Sequence, residues 1–257
     1  MGARLLAAAL SMLAVVPAAR AQGGCSAQTL APLEARLAKH PFTGGRTDTS
    51  LAEASDCTPW PGDDGVTIVA AIYRGASDDQ ENFALALVDS DTDEGRSAFK
   101  GHFDTSPFLR IGPASLGIDT APYRLAAGVR AFGIDLPTAR PKPPCAGGIG
   151  ARRTLFVAQR GTLRPVLDSL ALSAGSSPRC DSSEPNATTS RTIAIGRHAS
   201  HGCADLVVAE TTEAEGAPTR RKRHTMRYDG SAYRTDDPLW PCCMVENGIE
   251  AEPAGAR

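Results

Sequence analysis

Three short stretches of this 257-residue chain gather side chains that could do chemistry. The first is Asp89-Ser90-Asp91-Thr92-Asp93-Glu94-Gly95, where carboxylates alternate along one short segment. Hard oxygen donors arranged this way suit a hard cation such as calcium. An EF-hand loop beginning at Asp89 needs glycine at its sixth position and glutamate at its twelfth, and here stand Glu94 and Lys100. The EF-hand reading fails, and Asp89, Asp91 and Asp93 remain as candidate ligands of a simpler calcium loop. The plain alternative is a solvated hairpin turn.

The second stretch, His198-Ala199-Ser200-His201-Gly202-Cys203-Ala204-Asp205, collects metal-ligand and general-base types. If it enters a strand, His201, Cys203 and Asp205 share one face by the two-residue period. Such a face suits zinc or copper, and Asp205 could orient His201 as a base. A hydrolase built on this cluster is one functional expectation, set against a turn leading into a half-buried strand. The third stretch is basic: Arg220, Arg221, Lys222 and Arg223, followed by His224. It is an interaction patch for an acidic protein, an anionic glycan or a membrane surface, or else a solvated strand edge on which charge blocks unwanted pairing. Residues 62–94 hold nine acids against Arg74 alone. Separated charge of this kind favours steered association, and pairing of the two regions within one molecule is the competing explanation.

Other chemistry finds no support. The segment Gly112-Pro113-Ala114-Ser115-Leu116-Gly117 has the wrong spacing for a nucleophile elbow. Zincin, phosphate-loop and dinucleotide fingerprints are absent, and so are the C-x₂-C pairs of a structural zinc site. No catalytic residue is assigned and no cofactor beyond calcium is expected. A formal net charge of −2 argues against a dedicated nucleic-acid binder. Aromatic residues make up 5% of the chain, too few for extended stacking platforms.

The elements that must position these residues are mostly short strands. With 42% hydrophobic and 22% charged residues the composition is that of a folded protein, and 25 Gly with 19 Pro imply many turns. One helix is expected over about residues 29–40, capped by Thr29, with Leu30, Leu33 and Leu37 on one face and Pro32 in its first turn. Strand-like runs follow at residues 66–73, 83–88, 118–123, 129–136, 154–159, 163–172, 192–195, 204–210 and 224–234. Asp229-Gly230 within the last run reads as a two-residue hairpin turn. Residues 138–150 and 173–190 read as loops. The expected fold is all-β: a hairpin-rich sandwich, barrel or partial propeller with one short N-terminal helix, as a single domain over residues 22–257.

Residues 1–21 read as a secretory signal peptide. Arg4 precedes an apolar run at residues 5–16, Pro17 breaks it, and Ala19 and Ala21 are the small residues at the two positions a signal peptidase reads, for cleavage after Ala21. The run is too short to span a bilayer. Lipid attachment at Cys25 is the weaker alternative, because Gln22 stands where a lipoprotein signal carries an apolar residue. The expected location is the bacterial periplasm or the exterior. All seven cysteines, Cys25, Cys57, Cys145, Cys180, Cys203, Cys242 and Cys243, follow the leader, and an oxidising compartment makes them disulfide candidates. Adjacency suggests Cys25–Cys57, Cys145–Cys180, and Cys203 with Cys242 or Cys243, leaving one unpaired.

Three segments, LGIDTAPYRLAAGVRAFGIDL (residues 116–136), SHGCADLVVAE (200–210) and RHTMRYDGSAYR (223–234), resemble parts of exported, largely uncharacterised bacterial β-proteins, some of them propeller-like. Proteins of that broad type include periplasmic immunity proteins that block lysozyme-like effectors. The resemblance implies a protein that binds another protein or a cell-envelope macromolecule, such as an inhibitor of a cell-wall hydrolase. It carries over no functional residue. A hydrolase and a calcium-dependent structural module are the rival expectations.

Overall fold

The computed structural model describes residues 24–42, 52–77, 79–92, 94–105, 111–136, 150–176, 186–234 and 249–252. The expected leader, the long Pro/Gly-rich loop, Asp93, and Cys145, Cys180, Cys242 and Cys243 lie outside them. Among the described residues there is one helix, α1 (Ala27–Lys39), and no helix is long and apolar enough to cross a membrane. Its N-cap is Ser26, three residues earlier than Thr29, because the Ser26 hydroxyl accepts the Thr29 amide at 3.1 Å. Pro32 therefore sits in the second turn, where it forfeits one backbone hydrogen bond. Burial of Leu30, Leu33 and Leu37 offsets that loss.

The rest is strand. In chain order they are β1 (Ala54–Pro59), β2 (Val66–Arg74), β3 (Gln80–Asp89), β4 (Gly95–Asp104), β5 (Gly117–Ala126), β6 (Val129–Leu136), β7 (Arg152–Gln159), β8 (Thr162–Ala171), β9 (Ser173–Ser176), β10 (Ala187–Ser200), β11 (Cys203–Ala214), β12 (Arg220–Tyr228), β13 (Tyr233–Arg234) and β14 (Glu250–Ala251). They form two sheets, so the all-β expectation holds, in the form of a barrel with a second sheet laid on it. The first sheet runs β1-β2-β3-β4-β8-β7-β6-β5, with β14 beside β4. It nearly closes: the Ile118 amide on β5 donates to Asp56 Oδ2 on β1 at 2.8 Å. Every neighbouring pair is antiparallel except β4 and β8, which meet in parallel at Ala98 and Thr162. The second sheet runs β13-β12-β11-β10-β9.

Three apolar clusters follow from the two-residue period. Inside the barrel lie Ile68, Ile72, Leu85, Ile134 and the rings of Phe83, Phe99, Phe132 and Phe156. Phe99 meets Phe156 edge-on with centroids 5.1 Å apart, an arrangement worth about 0.5–1.5 kcal/mol beyond burial. On the outside of β2 and β3, alternate residues Val69, Ala71, Tyr73, Ala84 and Ala86 receive α1. On the outside of β5 to β8, Tyr123, Leu125, Leu155, Val157 and Leu167 receive Leu206, Val208, Met226 and Tyr228 of the second sheet. Strands buried on both faces carry no polar alternation, which is why β2 and β3 read as unbroken apolar runs.

Two polar clamps complete the barrel wall. Lys100 on β4 donates to the carbonyls of His40 and Pro41 at 3.0 and 2.8 Å and pairs with Glu252 at 2.9 Å. It thereby ties the exit of α1 and the segment after β14 to one strand. On the outer face of β5 to β7, Arg153 holds Asp135 through two bonds of 2.6 Å and also contacts Asp119. Its guanidinium reaches across Gly133, where an added Cβ would stand 3.0 Å from Arg153 Cδ. The Tyr123 hydroxyl donates to Asp119 at 2.6 Å. Burial, and then that bond to the carboxylate, push the hydroxyl pKa up to about 12.

Glu81, at the start of β3, is less well served. Its Oε2 is buried without a hydrogen-bond partner. Burial first, and repulsion from Glu53 second, raise its pKa to about 7. A carboxyl raised in the folded state favours folding when protonated, so this contribution is present below about pH 4.5 and is lost as pH rises through about 7. We expect Glu81→Gln to raise Tm by about 1–3 °C at pH 8 and to leave it unchanged at pH 4.5. Thermal melts at the two pH values test this, and equal shifts at both would refute it.

Candidate functional site

The basic run becomes the first half of β12. Pairing with β11 sets Arg220 opposite Thr212, Arg221 opposite Thr211, Lys222 opposite Glu210 and Arg223 opposite Ala209. Facing residues share a side of the sheet, so Arg221 and Arg223 stand on one face and Arg220 and Lys222 on the other. All four are exposed. The same strand turns apolar further on, where Met226 and Tyr228 enter the cluster against the barrel. One strand thus joins a buried anchor to a charged extension.

The extension is held rigidly. Strands β10 and β11 form a long hairpin closed by His201 and Gly202, with φ of 49° and 81°. Both residues are left-handed, the requirement of a tight primed turn. Further along, Thr189 and Thr212 hydrogen-bond across the pair at 3.0 Å. Arg191 on β10 pairs with Glu210 at 2.9 Å and donates to the Ala171 carbonyl on the barrel at 3.2 Å. Glu210 is the acid directly opposite Lys222, and its carboxylate is taken up by Arg191. The four bases therefore have no ion-pair partner among the described residues. Within a span of about 10 Å, three rises of a strand, four positive charges stand uncompensated among the described residues.

On its other side β12 pairs with β13 only at Arg227 and Tyr228. No described strand lies beside Arg220 to Arg223 on that edge. The return turn differs from the expected two-residue form. Four residues, Asp229 to Ala232, separate Tyr228 from Tyr233, because Asp229 Oδ1 accepts from the Ser231 and Ala232 amides, each at 2.8 Å. These donors, the Ala232 amide foremost, hold the Asp229 pKa far below the usual carboxylate range.

The acidic stretch is occupied locally. Arg96 donates to Asp89 Oδ2 at 2.6 Å and to Asp63 at 2.7 Å. Asp89 Oδ1 accepts from the Asp91 and Thr92 amides at 3.0 and 3.1 Å. The bond from Arg96, then these amides, lower the Asp89 pKa to about 2. Acids of the 62–94 region thus pair with Arg96, and no ion pair joins them to the basic strand among the described residues. Calcium at Asp89 and Asp91 would have to displace Arg96. We expect millimolar calcium to leave Tm unchanged, and a saturable rise abolished by Asp91→Ala would show that the loop takes the ion.

The second stretch is rearranged relative to the face expected for it. His201 occupies the turn rather than a strand, and its Nδ1 lies 2.8 Å from the Tyr228 carbonyl oxygen. Asp205 is buried, and no hydrogen bond connects it to His201 among the described residues. The register slips between Ile195 and Ala199, and an added Cβ at Gly196 would come within 2.8 Å of the Asp205 carbonyl oxygen. That bulge lies on β10, so the expected face fails at His201, which the turn removes from the strand, while Cys203 and Asp205 both stay on β11. Cys203 is half-buried and free among the described residues, and the described residues contain no group of three metal-ligating side chains. Cys25 and Cys57 form a disulfide.

Comparisons with protein-family models, with curated proteins and with solved structures find no match.

Proposed function

We propose that this chain is an exported protein that works by binding another macromolecule through the charged half of β12. The observation that carries the reading is four consecutive exposed bases, with Glu210, the acid opposite Lys222, taken by Arg191. Unpaired like charges held on a rigid ribbon repel one another and relieve that repulsion on meeting an acidic surface. The leader pattern of residues 1–21 and the Cys25–Cys57 bridge support a periplasmic or external setting.

Inhibition of a cell-wall hydrolase is the most concrete form of this function. Glycan-cleaving hydrolases work with a pair of carboxyl groups flanking the scissile bond. A projecting basic strand complements a cleft of that chemistry. The test compares wild type with the Arg221→Glu, Arg223→Glu variant, whose changes lie outside the apolar anchor of β12. Wild type is expected to slow lysis of purified peptidoglycan by a muramidase, and the variant to do so at least tenfold less well. Raising ionic strength from about 0.05 to 0.15 M, which shortens the screening length, should weaken wild type only. Lysis unaffected by wild type removes the hydrolase form. Periplasmic partner capture that is equal for wild type and variant removes the binding reading itself.

A further inference from the structure

Resting on that reading, we infer that the outer edge of β12 accepts an extended acidic peptide segment as an added antiparallel strand. A charged patch alone would serve any polyanion. This patch, however, lies on strand backbone whose far side has no described neighbour at Arg220 to Arg223. Along a strand every second residue turns its N–H and C=O to the same side. Half of the backbone groups in this stretch therefore face away from β11, and another peptide backbone is the partner that satisfies them in series.

The side chains then select which peptide. A second copy of the same edge would set arginine against arginine, and like charges directly opposite destabilise a pair. The edge is thus closed to itself, as edge strands must be, and the same charges open it to acids. Residues facing one another across a sheet share a side, so an acid opposite each base would place carboxylates on both faces. The occupant is accordingly a short extended segment with a run of Asp or Glu. The ribbon needs no rearrangement to receive it, because Arg191, Glu210 and the Thr189–Thr212 bond already fix β10 and β11 behind it. Pre-ordering of this kind limits the entropy lost on association.

The probe is a labelled eight-residue peptide with four central glutamates flanked by Val and Thr, added to the full chain. Its companion is the same peptide methylated on every backbone nitrogen of the central stretch, which keeps the charge and removes the donors. A heparin-type oligosaccharide of equal charge is the third probe. The free peptide is expected to bind saturably and to slow hydrogen exchange of the amides in Arg220 to Arg223, with the methylated peptide at least tenfold weaker. Equal binding of all three probes, without amide protection, would overturn strand addition while leaving a charge-recognition role standing. Failure of both peptides and the oligosaccharide to bind would overturn the inference and the basic-edge reading together. The Arg221→Glu, Arg223→Glu variant should lose the peptide and keep the wild-type Tm.

Discussion

Replacing Arg153 with alanine is expected to cost about 2–4 kcal/mol of folding stability and to lower Tm by about 5–12 °C. The side chains of Arg153, Asp119 and Asp135 are 15%, 14% and 21% exposed. Burial by itself works against the Arg153 charge, yet its bonds to Asp135 and the field of Asp135, Tyr123 and Asp119 keep its pKa above the ordinary value. Without it two carboxylates remain half-desolvated with no cation, and removing one partner of a buried pair costs more than the pair itself contributes. Residual exposure places the expected loss below the upper end of the range for fully buried pairs. Arg153→Lys should recover little, since an ammonium cannot grip Asp135 with two parallel bonds and still reach Asp119. Asp135→Asn should cost less in the Arg153→Ala background than in wild type, because the two groups are coupled. Urea unfolding of wild type and these four variants measures each loss. An Arg153→Ala loss below about 0.5 kcal/mol, the scale of an exposed pair, would show that the clamp is solvent-screened.

Removing the Cys25–Cys57 disulfide should cost about 2–4 kcal/mol. The bridge closes a loop with a sequence separation of 32, and the chain-entropy model gives about 3–4 kcal/mol for a loop of that size. It pins the entrance of α1 to β1, while Leu33 and Leu37 anchor the helix to the barrel wall. The Cys25→Ser, Cys57→Ser variant should therefore keep its far-ultraviolet spectrum and unfold at lower denaturant. Reductant should lower the midpoint of wild type by more than it lowers that of the variant, the difference being the share of the Cys25–Cys57 bridge. A variant as stable as wild type would mean that packing of α1 already restricts the chain as much as the bridge does.

How much of this was legible in the residues varies from element to element. Strands such as β2 and β6 announce themselves, because β-branched and apolar residues are concentrated there. β4 did not, because Ser97 and Gly101 occupy inward positions that would normally be large and apolar. Gly101 is small for a tertiary reason: an added Cβ would come within 2.4 Å of the Glu250 carbonyl oxygen on β14. The leucine spacing locates the helix, but its cap is Ser26, three residues before Thr29, since both are competent caps and geometry chose the first. The basic run was visible as charge, but whether it was paired depended on where Glu210 pointed.

The order of residues along the chain by itself determined the strand-rich class, the short helix α1 and the Cys25–Cys57 pairing, because period, propensity and close spacing are local quantities. Only the assembled sheets decided that Arg153 spans Gly133 to two acids, that Asp89 is taken by Arg96, and that His201 turns toward Tyr228 instead of Asp205. Those outcomes depend on strand order, register and where the turns fall. Register is settled by contacts between residues far apart in sequence, where a slip of a single position sends every side chain to the opposite face.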